Sequence, residues 1–114
     1  MRYGIRILDL AREDLAVIAA YLTGFSAQAA DGFLDAFARE MALIGEHPGI
    51  CLVYPWDRKY RRAIIGKYLV FYRVDEESGI VSVHRVLHGS RNIVGELAKM
   101  KQDGNSHTPL VNEY

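Results

Sequence analysis

The chain is poor in the residues that stabilise small secreted domains. Its 114 residues include three prolines and one tryptophan. They include only one cysteine, so no internal disulfide can form. No apolar run approaches the roughly 20 residues that a transmembrane helix needs. The opening segment MRYGIRILDL carries charges that do not fit a secretory signal. These absences predict a single cytoplasmic domain with an ordinary hydrophobic core.

Several chemical motifs are also missing. The sequence has no GxxxxGK[ST] phosphate loop, no GxGxxG, no CxxC or HExxH metal pattern and no GxSxG nucleophile elbow. We therefore expect no cofactor and no bound metal ion. A serine triad assembled in space, without a local motif, stays open at this point.

Charge is balanced overall but unevenly distributed. Eight cations and three acids lie between Arg58 and Arg91, a net charge of +5, and the remainder of the chain carries −5. A basic segment of this kind can face nucleic acid or an acidic protein partner. The simpler interpretation is a set of solvated strand faces without a ligand.

Hydrophobic periodicity predicts a strand, two helices and three strands. Tyr3–Leu8 alternates with period two, and Asp9 is the expected N-cap of a helix that stops at Gly24. Ser26 is the expected N-cap of a second helix, which ends near Gly45 and packs against the first as a hairpin. The three later strands are predicted at Tyr60–Ile65, Lys67–Val74 and Ile80–Leu87, with the acidic turn DEESG before the last.

This order predicts an α+β fold. An antiparallel helical hairpin is expected to pack on one face of a small, mostly antiparallel sheet. Residues 92–101 have the spacing of a further helix, which Gly95 weakens. We assign residues 1–101 to one domain and residues 102–114 to a mobile tail.

Strict alternation assigns the side chains of the last two strands to faces. Tyr68, Val70 and Tyr72 should face the helices, and Lys67 and Arg73 should point outward. In the last strand, alternation puts Val81, Val83, Arg85 and Leu87 on one face and Ile80, Ser82, His84, Val86 and His88 on the other. The two histidines would then lie on one face, about 13 Å apart and too distant to share a metal ion.

Taken together, the segments resemble the ParE/RelE superfamily of toxins from bacterial type II toxin–antitoxin modules. The resemblance covers about residues 3 to 97. The matching segments are AREDLAVIAAYL (Ala11–Leu22), AADGFLDAF (Ala29–Phe37), EHPGI (Glu46–Ile50), YRRAIIGKYLVFYRVDE (Tyr60–Glu76) and VHRVLHGSRN (Val83–Asn92).

The resemblance implies one of two mechanisms. RelE-like members are ribosome-dependent mRNA endonucleases that use basic side chains and a late tyrosine, without a metal. ParE-like members, associated with plasmid stabilisation, lack that catalytic set and poison DNA gyrase by binding it. Here the position of the first catalytic arginine falls on Leu69, and Ile93, Val94 and Leu97 occupy the region where the late tyrosine would lie.

The departures favour a ParE-like gyrase inhibitor that is not an enzyme. The alternative, a RelE-like nuclease, would rely on Arg62, His88 and Arg91. A cognate antitoxin with apolar and acidic residues, encoded in the same operon, is the partner that the resemblance implies. The residues expected to contact the antitoxin or the target are Arg61, Arg62, Lys67, Arg73, Arg85, His88 and Arg91.

Overall fold

The computed structural model describes residues 2–98. The elements follow the predicted order and confirm the α+β fold class. They are β1 (Gly4–Ile7), α1 (Asp9–Thr23), α2 (Ala27–Glu46), β2 (Arg61–Ile65), β3 (Tyr68–Asp75), β4 (Ile80–His88) and the short helix α3 (93–98). The predicted tail at 102–114 lies outside the described residues. No described helix is long and apolar enough to cross a membrane.

The two long helices begin differently. The Ser26 hydroxyl accepts a hydrogen bond from the Ala29 N–H at 3.0 Å, as expected for the N-cap of α2. The prediction for α1 is wrong by one residue: Leu8 is its N-cap, no side chain caps it, and Asp9 lies inside the first turn. An acid at that position still interacts favourably with the helix dipole.

The four strands form one mixed sheet in the order β1-β4-β3-β2. β1 runs parallel to β4, and the other two pairings are antiparallel. Gly66, with a φ of 60°, lies in the turn between β2 and β3, and Gly79, with a φ of 70°, ends the predicted acidic turn. Both positions need the left-handed backbone that glycine adopts without strain.

A bulge in β4 overturns the predicted alternation of that strand. Phe71 pairs with Arg85 and Tyr72 pairs with Val83, so the register skips His84. An extra residue exchanges the two faces from that point onward. Val83 and Val86 therefore pack in the same cluster, and Leu87 packs in the other.

Each face of the sheet carries its own buried cluster. On the helix face, α1 and α2 cover Val70, Tyr72, Val81 and Val83, which are all fully buried. We call the opposite side the outer face. Its buried residues, which we call the outer cluster, are Tyr54, Tyr60, Phe71, Leu87, Ile93 and Leu97. The helical hairpin was predicted from the sequence, but the outer cluster was not.

Candidate functional site

The outer cluster occupies the two regions where the resemblance implies the catalytic arginine and the late tyrosine of a RelE-like nuclease. Leu69 packs against it from β3, and Ile93 and Leu97 contribute to it from α3. Phe71 and Leu87 at its centre are essentially inaccessible to water. These side chains carry no polar group, so this part of the outer face can neither transfer a proton nor stabilise charge on a phosphate.

Arg62 and His88, two of the predicted nuclease residues, lie on opposite faces of the sheet. Arg62 pairs with Phe71 and therefore shares the outer face. His88 pairs with Tyr68, and the two rings meet edge to face, with centroids 5.3 Å apart, beside the helices. The structure does not bring these side chains together.

The His88 ring is also held in an unsuitable tautomer for a general base. The Ser90 N–H donates to Nδ1 at 3.0 Å, and the Ser90 hydroxyl lies 2.7 Å from the same nitrogen. In the neutral ring the proton is therefore on Nε2, which leaves no free lone pair to accept a proton from a substrate.

Arg85 lies in a nearly buried ion pair. Its Nε donates to Asp14 Oδ2 at 2.7 Å, and its Nη2 donates to Asp14 Oδ1 at 2.9 Å. The side chains are only 10% and 14% exposed, and the hydrogen bond to Asp14 raises the pKa of Arg85. The same carboxylate accepts the Val86 N–H at 2.9 Å, where β4 continues past the end of β1.

A second carboxylate joins this ion pair to α3. Glu96 accepts from Arg85 Nη1 at 3.3 Å and from Arg91 Nη2 at 2.8 Å. Arg85 thus connects α1 to α3, and Arg91 is paired although its side chain is 52% exposed. Both arginines were predicted contact residues, and the geometry gives Arg85 a structural role.

The other predicted contact residues divide between the two ends of the sheet. Lys67 and His88 border a groove of about 490 Å³ between the helices and the β2–β3 turn. Tyr21, Phe25, Phe33 and Tyr68 line it, and we call it the aromatic groove. Phe33 meets the Tyr68 ring edge to face with centroids 5.1 Å apart.

A smaller cleft of about 220 Å³ lies near the other end of β3. We call it the basic cleft, and its charged lining residues are Arg58, Lys59, Arg61, Arg73 and Glu76. Arg61 donates to the Cys51 carbonyl oxygen at 2.7 Å, so part of its donor set is already used. Arg58 and Arg73 make no ion pair with any residue of the described range.

The electrostatic effect of the basic cleft reaches the bulge in β4. Burial lowers the pKa of His84 to about 4, and the positive charges of Arg73 and Lys59 add to the effect. The His84 ring packs against Tyr60, with centroids 5.2 Å apart, and burial raises the pKa of Tyr60 to about 12. Both rings are therefore neutral at pH 7. His84 thus packs on the outer face and His88 on the helix face, whereas strict alternation predicted both on one face.

Within residues 2–98, no group of three or more histidine, cysteine, aspartate or glutamate side chains could hold a metal ion.

Sequence reasoning did not find the exposed Trp56 or the Asp14–Arg85 pair. Asp14 and Arg85 are 71 positions apart, so no local pattern links them.

Comparison with known proteins places these features in context. The family model described as the ParE toxin of the type II toxin–antitoxin system parDE matches residues 5–93. A search of curated protein sequences found no match.

Solved toxin structures share the fold. A chain of the RelBE2 toxin–antitoxin complex from Mycobacterium tuberculosis is 23% identical, with a TM-score of 0.56 over 77% of this chain and 99% of that chain. A mutant of the E. coli toxin RelE in the free state is 13% identical, with a TM-score of 0.62 over 89% and 98%. A chain of the chromosomal ParDE system from P. aeruginosa is 12% identical, with a TM-score of 0.63 over 76% and 96%.

Proposed function

Because this chain belongs to the ParE toxin family of type II toxin–antitoxin systems, we propose that it is a non-enzymatic toxin that inhibits DNA gyrase by binding it. Its cognate antitoxin would silence it by forming a complex. Gyrase and the antitoxin would both meet the chain in the cytoplasm.

The observation that carries the proposal is the outer cluster. Leu69, Ile93 and Leu97 place packed apolar side chains where a RelE-like nuclease needs an arginine and a tyrosine. Converting this face into a catalytic site would require buried charges in the middle of a hydrophobic cluster, which is energetically costly. A toxin that acts by binding has no such requirement.

The positions of the remaining nuclease candidates support the same conclusion. Arg62 and His88 lie on opposite faces, and Arg91 is paired with Glu96. General acid–base catalysis needs its groups within hydrogen-bond reach of one substrate. These three side chains do not share a site.

The aromatic groove is the surface that we assign to the antitoxin. Tyr21 and Phe25 are 61% and 70% exposed beside the buried Phe33, so the groove can take up apolar side chains of a partner segment. Lys67 at its rim suits an acidic residue in that segment. Apolar and acidic residues are the combination expected of the antitoxin segment.

Induced expression separates the two mechanisms. A gyrase inhibitor should block DNA replication and induce the SOS response, and mRNA should stay intact in a translating extract. Cleavage of mRNA in that extract, with gyrase activity unchanged, would contradict the proposal and favour the RelE-like alternative.

A further inference from the structure

The loop from Tyr54 to Tyr60 is held at both ends and in its middle. The Tyr54 N–H donates to the Tyr60 carbonyl oxygen at 2.8 Å, and the Tyr60 N–H donates to the Asp57 carbonyl oxygen at 3.1 Å. Lys59 Nζ binds both carboxylate oxygens of Asp57, at 2.8 and 2.9 Å. The Tyr54 and Tyr60 rings are buried against Phe71 in the outer cluster. The loop therefore has a defined shape before any partner arrives.

This loop presents its one tryptophan to solvent. Trp56 is 74% exposed, and Leu52, which precedes the loop, is 75% exposed, the two highest values among the large hydrophobic side chains of residues 2–98. A single exposed apolar side chain is ordinary. A tryptophan on a preorganised loop is different, because binding buries a large ring without the cost of ordering the backbone.

The exposed indole is adjacent to the basic cleft. Arg58 follows Trp56 by two residues, so their Cα atoms are at most about 7 Å apart. Arg58 and Arg73 in the cleft lack ion-pair partners among residues 2–98. Tryptophan and arginine are also the residues most enriched at the energetic centres of protein interfaces.

We propose that Trp56 and the basic cleft together form the surface through which this toxin binds its target protein. The target would offer an apolar pocket for the indole, bordered by carboxylates that pair with Arg58 and Arg73. This inference rests on the proposed function, since it assumes that the toxin acts by binding a protein. This target surface is separate from the aromatic groove. Tyr68, which lines the groove, and Arg73, which lines the basic cleft, are about 17 Å apart along β3.

A protein fits this surface better than a nucleic acid does. Glu76 lines the cleft, and Asp57 lies in the adjacent loop. The −5 charge outside residues 58–91 cancels their +5, so the chain has no net positive charge to attract a polyphosphate backbone. An acidic protein surface needs only local charge complementarity to the cleft.

The test compares Trp56→Ala with Phe25→Ala. Both residues are exposed aromatics outside the strands, so neither change should unfold the chain, which circular dichroism would verify. Trp56→Ala should raise the toxin concentration for half-inhibition of gyrase supercoiling at least tenfold and still co-purify with the antitoxin. Phe25→Ala should inhibit gyrase normally and lose antitoxin affinity. Arg58→Ala/Arg73→Ala should reproduce the Trp56 effect and reduce the salt dependence of inhibition.

Equal inhibition by wild type and Trp56→Ala would overturn the inference and leave the proposed function intact. A wild-type chain that does not inhibit gyrase would contradict the proposed function instead. Growth arrest on induction then decides the inference: arrest by wild type and Phe25→Ala but not by Trp56→Ala supports it, and arrest by all three overturns it. Trp56-dependent binding to single-stranded RNA or DNA, without binding to protein, would also overturn it.

Discussion

The two faces of the sheet are both buried, but by different means. The helix face is covered by two amphipathic helices whose apolar residues repeat at regular spacing. The outer face is covered by tyrosines from a loop, by Ile93 and Leu97 from a short helix, and by an ion pair that reaches α1. The positions at which the resemblance places catalytic groups of a RelE-like nuclease are here part of the protein's core. The difference links the packing of this chain to its proposed mechanism.

The largest expected effect tests whether the outer cluster is a true core. Phe71→Ala should lower the free energy of unfolding by about 3–5 kcal/mol, because it removes a fully buried ring and leaves a cavity. Phe37→Ala is the matched change on the helix face, where Phe37 is also buried. Urea unfolding of both variants measures the comparison. A loss below about 1 kcal/mol for Phe71→Ala alone would show that the outer face is only loosely covered.

The next effect concerns the ion pair that joins the two layers. Asp14→Ala should cost about 3 kcal/mol, because it leaves Arg85 with only Glu96 and the Val86 N–H without its acceptor. Glu46→Ala breaks the exposed pair with Arg2 and should cost no more than about 0.5 kcal/mol. Thermal or urea unfolding of the two variants provides the measurement. Equal small losses would mean that Arg85 is effectively solvated.

The smallest effect is the part of the pH dependence of stability that arises from His84 on the outer face. The pKa of His84 is about 4 in the folded chain and near 6.5 when unfolded, so the unfolded state binds a proton first as the pH falls. Stability should therefore decrease from pH 7 to pH 5, with His84 contributing about 1–2 kcal/mol. His84→Phe keeps the ring contact with Tyr60 and should show a weaker decrease, measured by urea unfolding at both pH values. His47→Gln, at an exposed position, should follow the wild type; identical pH profiles for all three would contradict the assignment.

Regular features of the fold were predictable because they repeat locally. Ser26 was correctly predicted as an N-cap, and β2, β3 and β4 begin and end within a residue of their predicted bounds. The bulge at His84 was not predictable, since a single skipped residue leaves no trace in a strand with apolar residues on both faces. Alternation therefore put Val83 and Val86 on opposite faces, whereas both pack in the helix-face cluster.

The site was less predictable than the fold. Pairing of Arg85 with Asp14 depends on two elements distant in sequence, so a charged strand residue was interpreted as a surface contact. The separation of Arg62 from His88 follows from strand register, because Arg62 pairs with Phe71 and His88 pairs with Tyr68, three residues earlier on β3. The absence of an arginine at Leu69, by contrast, was visible in the sequence, and the structure adds that this position packs against the outer cluster.

The central claim is that this toxin acts by binding and not by catalysis. The most direct measurement is a DNA gyrase supercoiling assay with the purified chain, run in parallel with mRNA cleavage in a translating extract. We predict that supercoiling falls with increasing toxin, that the cognate antitoxin restores it, and that the mRNA remains intact. Ribosome-dependent mRNA cleavage with undiminished supercoiling would contradict the account.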